Sequence, residues 1–223
     1  MYPVKDNITK LLADLPSEVR LVAVSKYHPA EYVEEAYSVG QRVFGESHVQ
    51  ELRQKQPLLP SDIEWHFIGH LQTNKVKYIA PFISMIESAD SERLIAEIDK
   101  QAERCQRVID ILLEIHLAEE DTKTGFSVEE CVTLLQGGLK ERYPHVRICG
   151  IMMMASNTDD TLQIEREFQQ ACDFFHTLKQ QFFPSDDYFR ERSWGMSGDY
   201  PLAIAHGSTM IRVGTLLFGP RVY

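Results

Sequence analysis

The strongest constraint on this chain is a recurrence: short aliphatic and β-branched runs return eight times, with helix-patterned stretches between them. The runs fall at 21–26, 43–47, 64–69, 83–88, 108–116, 146–154, 193–197 and 210–219, and the helical stretches include 29–39, 91–104 and 159–181. Pro29 suits a first helical turn, where a missing N–H costs nothing, and Ser91 suits a helix start. Strands alternating with helices are the pattern of a parallel sheet. Eight such units predict an α/β fold, a single (β/α)8 TIM barrel spanning 1–223, with an extra helical segment in residues 1–19. An open doubly wound sheet fits the same alternation, but no GxGxxG follows the first run.

The 223 residues suit one such barrel, and no linker, close repeat or low-complexity tract divides them. The net charge of −10, from 33 acids and 23 bases, disfavours nucleic acid and anionic membrane as partners without excluding a local cationic pocket. Cys105, Cys131, Cys149 and Cys172 form no CxxC pair and no zinc spacing, so they read as reduced thiols. The N-terminal residues lack a signal-peptide run, and the apolar stretches are far below a membrane span. The expectation is a cytoplasmic protein.

Side chains alternate across a strand. Val22, Val24 and Lys26 therefore share one face, as do Met210, Arg212 and Gly214. On the fifth run Ile111, Leu113 and Ile115 form an apolar face that suits packing against helices, which turns Glu114 and His116 inward. Lys26 ends its run, and active sites of this fold sit at strand C-terminal ends, although a lysine there also snorkels to solvent. Arg212 lies between Ile211 and Val213 in a run read as buried. A buried cation needs a partner, either a structural carboxylate such as Glu114 or an anionic ligand. Ser197 in WGMSGD and Gly214 with Thr215 in RVGT supply small residues at the ends of the last two runs. Such residues let backbone N–H groups approach a phosphate at the place where this fold often holds one.

These residues belong to longer motifs: LVAVSKYHP (21–29), GQRVFGESHVQEL (40–52), EWHFIGHLQTNK (64–75), DTKTGF (121–126) and WGMSGDYPLAIAHGSTMIRVGTLLFGPR (194–221). In content and order they resemble the YggS/PROSC family of pyridoxal 5′-phosphate (PLP) homeostasis proteins. The resemblance implies a barrel like the N-terminal domain of alanine racemase, with PLP as a Schiff base on Lys26. It places Ser197, Gly214 and Thr215 at the phosphate, Met196 beside it, Arg212 at the pyridine nitrogen, and Ser47 and His66 near the cofactor. It implies a monomeric carrier in intracellular vitamin B6 homeostasis, acting indirectly on amino-acid and keto-acid balance, with PLP-dependent apoenzymes as acceptors.

The chemistry of these residues agrees. A lysine amine attacks an aldehyde only when unprotonated, and both desolvation and a nearby cation favour that form. Arginine at the ring nitrogen keeps it unprotonated and weakens the ring as an electron sink. In alanine racemase a second base, a tyrosine, comes from a C-terminal domain; Tyr223 is read here as a terminal surface residue, and two-sided proton transfer needs two bases. A PLP carrier without robust catalysis is therefore expected. A PLP-dependent racemase and a PLP-free Schiff-base aldolase are the alternatives.

Ser47 departs from the family's usual FGEN, and Glu114 and His116 from its usual fifth-strand amides. Glu114 is expected either to offset the charge of Lys26 or Arg212 when the pocket is empty or to belong to a buried network remote from the ring. No metal site is expected: His66 and His70, four apart in a strand-to-loop stretch, would not converge as they would on a helix. His206 reads as a helix-end residue, Lys123 as a loop or pocket-mouth lysine, and Met152–Met154 as barrel core.

Overall fold

A computed structural model describes residues 2–117 and 124–220 of the chain. The expected Lys123 and Tyr223 features lie outside these residues. Eight strands close into a parallel barrel in chain order. They are β1 Arg20–Val24, β2 Val43–Glu46, β3 Glu64–Phe67, β4 Met85–Ala89, β5 Ile109–Glu114, β6 Val146–Met152, β7 Glu191–Ser193 and β8 Met210–Val213. The closing pair is β1 with β8, which puts Val22 beside Arg212.

Around them run α1 Val4–Asp14, α2 Ala30–Ser38, α3 Val49–Lys55, α4 Glu92–Arg104, α5 Val128–Gln136, α6 Leu139–Arg142, α7 Thr161–Phe182, α8 Tyr200–Ala205 and α9 Thr215–Phe218. The β3–β4 crossover is a 3₁₀ turn, Thr73–Tyr78. The extra N-terminal helix α1 buries Val4, Ile8 and Leu11, spaced to share one helical face. Helix starts follow capping chemistry. Ser91 accepts the Leu94 N–H, Ser127 and Glu130 form a capping box, and Asp160 accepts the N–H groups of Leu162 and Gln163. Pro29 precedes α2 as its N-cap, and His206 caps the end of α8. Among the described residues no helix is long and apolar enough to cross a membrane.

The strand ends differ from the expected ones throughout, by one or two residues in most strands, and three of the differences bear on the site. β1 stops at Val24, so Lys26 sits in the following turn. The seventh strand is Glu191–Ser193 rather than 193–197, because Gly195 takes φ +95° and breaks the extended chain. A Cβ at Gly195 would lie 2.5 Å from the Ala203 Cβ, so glycine also lets α8 pack onto this turn. The eighth run, expected to reach 219, ends at Val213, and its apolar tail coils into α9.

Two apolar cores flank the wall. Ile111, Leu113 and Ile115 pack outward among the helices, as their alternation predicts. Inside, Val22, Val43, Met85, Leu112, Cys149, Met152 and Met210 plug the barrel.

Candidate functional site

One two-residue step from this plug toward the strand C-termini changes the chemistry of the interior. Val22 leads to Val24, Val43 to Gly45, Met85 to Glu87, Leu112 to Glu114, and Met210 to Arg212. Charges thus enter the barrel just above its apolar floor.

Arg212 is 5% exposed. Its Nη1 donates to the Ser193 carbonyl (2.8 Å) and hydroxyl (2.6 Å), and its Nη2 donates to the Met153 carbonyl (2.9 Å). The carboxylate beside it is Glu87, at 3.8 Å, rather than Glu114. Glu87 is fully buried; its Oε2 accepts the Ser193 hydroxyl (2.6 Å) and its Oε1 lies 2.7 Å from His66 Nδ1. Burial works against the Glu87 carboxylate, but His66 first, then Arg212 and Ser193, hold its pKa below the ordinary value. Burial lowers the Arg212 pKa, opposed by Glu87 and then Glu114. Glu114 faces inward as expected and accepts the Thr124 hydroxyl (2.8 Å), and burial raises its pKa. His116 Nδ1 is buried without a hydrogen-bond partner.

Above this layer opens a cavity of about 240 Å³. Lys26, Met196, Ser197, Arg212, Gly214 and Thr215 all line it, although they come from three separate stretches of sequence. Lys26 reaches it from the turn after β1, where Tyr27 holds φ +65°. Ser197 precedes α8, and its hydroxyl accepts the Gly214 N–H at 3.3 Å, tying together the ends of the last two units. Thr215 opens α9, in which the Leu217 and Phe218 N–H groups donate to the Gly214 carbonyl (2.9 Å each), leaving those of Thr215 and Leu216 outside the helix's own bonding. A Cβ at Gly214 would lie 3.1 Å from the Val24 carbonyl oxygen, so a side chain there would crowd β1.

Ser47 and His66 do not join this lining. The His66 ring is drawn to Glu87, which makes it a support of the Arg212 network. Ser47 turns its hydroxyl to His48 Nδ1 (3.1 Å) and packs beneath Gly69. His66 and His70 do not converge, since His70 Nδ1 pairs with Asp90 at 2.8 Å.

The sequence reading missed several lining residues, His28, Ile68, Met154, Gly198 and Gly219, whereas Val24 lines the cavity on the side it shares with Lys26. Met154 departs from the expectation of pure barrel core: it stands one step beyond Met152 and therefore reaches the cavity. Glu87 was recoverable by the same alternation that placed Arg212, because Met85 and Glu87 share a face. His28 is 4% exposed, its ring stacks on Tyr32 and meets Phe218, and its Nδ1 has no partner. Burial, then the charge of Lys55, lowers its pKa.

A closed parallel barrel with a lysine, a buried arginine and a glycine-rich cradle at its mouth defines a class, and residues 3–222 match the family model "Alanine racemase, N-terminal domain". Within that class the chain belongs to the pyridoxal phosphate homeostasis protein family. The relative of that name from Pasteurella multocida is 36% identical over 212 residues, covering 93% of this chain and 88% of its own. The one from Synechocystis is 37% identical over 216 residues, covering 96% and 97%. PipY of Synechococcus elongatus, solved with PLP bound, is 37% identical with a TM-score of 0.89, covering 97% of this chain and all of that one. Alanine racemase from Bartonella henselae, at 14% identity and a TM-score of 0.72, shares the fold over 98% of this chain and 59% of its own.

Proposed function

We propose that this chain holds PLP as a Schiff base on Lys26 and serves PLP homeostasis rather than sustained catalysis. The observation that carries the reading is one cavity that joins a primary amine, a buried guanidinium and a hydroxyl-and-glycine cradle. At about 240 Å³ it lies below the roughly 300–1,000 Å³ of drug-sized sites and suits a compact ligand. Ser197, Thr215 and the N–H groups of Thr215 and Leu216 offer donors to a phosphate, and Gly198 borders open space. The names of the relatives and the PLP-bound PipY structure support the same ligand.

When bound, PLP supplies an electrophilic aldehyde and a ring that accepts electrons. Lys26 offers the amine from a half-buried turn at the cavity that Arg212 also lines. Arg212 has only donors, so it suits an unprotonated ring nitrogen, which is the weaker electron sink. Ser193, Met153 and Glu87 fix that guanidinium in place. Met196 flanks the phosphate cradle, whereas His66 acts through Glu87 and Ser47 stands behind the wall. Among the described lining residues there is no tyrosine, and burial, then the charge of Lys55, lowers the His28 pKa and makes that imidazole a weaker base. Two-sided proton transfer therefore lacks a strong second base. The reading extends to a cytoplasmic monomer, one barrel domain, that passes PLP to apoenzymes and so affects amino-acid balance. Cysteines that are all free suit a reducing compartment.

The test is borohydride reduction of PLP-loaded protein, with the modified peptide located by mass. The adduct is expected on Lys26, and visible absorbance should vanish in Lys26→Ala. An adduct on a different lysine would overturn the assignment. Sustained interconversion of L- and D-alanine would overturn the carrier reading.

A further inference from the structure

The turn that carries Lys26 is held from outside the barrel wall, by groups that do not line the cavity. Lys55, the last residue of α3, is buried and donates from Nζ to three oxygens. These are the Ser25 carbonyl (2.8 Å), Glu46 Oε1 (2.7 Å) and Glu51 Oε1 (2.6 Å). An ammonium has three N–H donors, so all of them are in use. Glu46 Oε1 also accepts the Ser25 hydroxyl at 2.7 Å, and Glu51 Oε1 accepts the Tyr27 N–H at 2.7 Å.

The placement of two of these bonds is specific. The Ser25 carbonyl belongs to the peptide unit before the Lys26 Cα, and the Tyr27 N–H belongs to the unit after it. The orientations of those two units are φ and ψ of Lys26. Both units are therefore anchored to one ion cluster, whose Lys55 and Glu46 side chains are 7% and 0% exposed. The cluster also stabilises Tyr27 at φ +65°, a left-handed region that residues with a side chain rarely adopt.

We propose that Lys55, with Glu46 and Glu51, is a positioning group for Lys26. It fixes the backbone so that the Lys26 amine is delivered into the cavity, and its own ammonium, committed to three acceptors, stays out of carbonyl chemistry. This rests on the Schiff-base reading. In that step a bond forms between Lys26 Nζ and the aldehyde carbon, and the aldehyde oxygen leaves as water.

The experiment separates amine delivery from cofactor binding. Imine formation is followed in Lys55→Met by visible absorbance and by borohydride trapping of the Lys26 peptide. Affinity is measured in parallel for pyridoxine 5′-phosphate, which keeps ring and phosphate but has an alcohol in place of the aldehyde. A displaced amine should slow imine formation roughly ten- to a hundredfold, as misplacement by about 1 Å does, while affinity for pyridoxine 5′-phosphate holds. Glu51→Ala removes the Tyr27 acceptor without stranding a buried ammonium, should slow the same step, and decides the matter if Lys55→Met does not fold. Unchanged imine formation overturns the proposal. A parallel fall in rate and in pyridoxine 5′-phosphate affinity also overturns it, because that marks general damage to the barrel mouth. If the wild-type protein gives no adduct on Lys26, the Schiff-base reading itself fails, and that result is visible before any variant is made.

Discussion

Glu87→Gln tests whether the buried carboxylate sustains Arg212. The substitution conserves shape and leaves one acceptor for the Ser193 hydroxyl, but it removes the only carboxylate within 4 Å of Arg212 among the described residues. Breaking a buried ion pair from one side costs about 3–5 kcal/mol, because the other charge is left uncompensated. The lower end, about 3 kcal/mol, applies here: glutamine keeps part of the hydrogen bonding, and Glu114 still contributes a favourable charge to Arg212. For a chain of this size roughly 2–4 °C of melting temperature accompanies each kcal/mol, so a fall of about 6–12 °C is expected near neutral pH. The pH dependence has a definite sign. The Glu87 pKa is lowered in the fold, so its contribution is present above the unfolded carboxylate value and is lost as pH falls through the folded one. The gap between wild type and Glu87→Gln should therefore narrow as pH drops below about 4.3. Thermal unfolding of both proteins across that range measures it. A melting temperature within about 2 °C of wild type at neutral pH, where several degrees accompany the predicted loss, would refute the role given to Glu87.

Ser197→Ala removes one cradle hydroxyl; a hydrogen bond to a charged group is worth about 1.5–3 kcal/mol, so PLP affinity by equilibrium dialysis should fall roughly ten- to a hundredfold, with only a small fall in the melting temperature of the apo protein from the lost bond to the Gly214 N–H. Gly150→Ala would set a Cβ 1.8 Å from the Glu191 carbonyl oxygen, where β6 meets β7. The barrel has to open there, and soluble yield and thermal unfolding should both show a severe loss, whereas a wild-type profile would mean that the two strands are not in such close approach.

Much of this architecture was legible because it rests on periodicity. The eight strand runs, the inward turn of Glu114 and the shared cavity side of Val24 and Lys26 follow from a two-residue repeat, which β6 interrupts where its register with β5 shifts between Ile148 and Gly150. The limits of the strands were less legible. The TLLF run after Gly214 is apolar enough for a strand, but four residues do not distinguish strand from helix, and the chain coils into α9. β7 carries Glu191 and Arg192 on a strand of three residues, so no apolar run announces it; the conspicuous Trp194 lies just past its end. At the site, residues whose duty is fixed by their own strand were accessible. Arg212 declared itself as a charge in an apolar run, and Glu87 makes the same declaration between Ile86 and Ser88 once alternation is applied to β4.

Lys55 is of a different kind. Its i,i+4 relation to Glu51 is an ordinary helix-surface pattern, of the sort that contributes only about 0.2–0.5 kcal/mol. What makes it more than that is the arrival of β1, 30 residues earlier in the chain, with the Ser25 carbonyl pointing at the same nitrogen. A pair that looks like surface decoration in sequence becomes, through barrel closure, an anchor for the two peptide units around Lys26. The cavity-facing half of this site is thus written in motifs, while the half that aims its lysine is written in tertiary contacts. A substitution at Lys55 or Glu51 should therefore impair the proposed imine formation at Lys26 even though every residue that lines the cavity is intact.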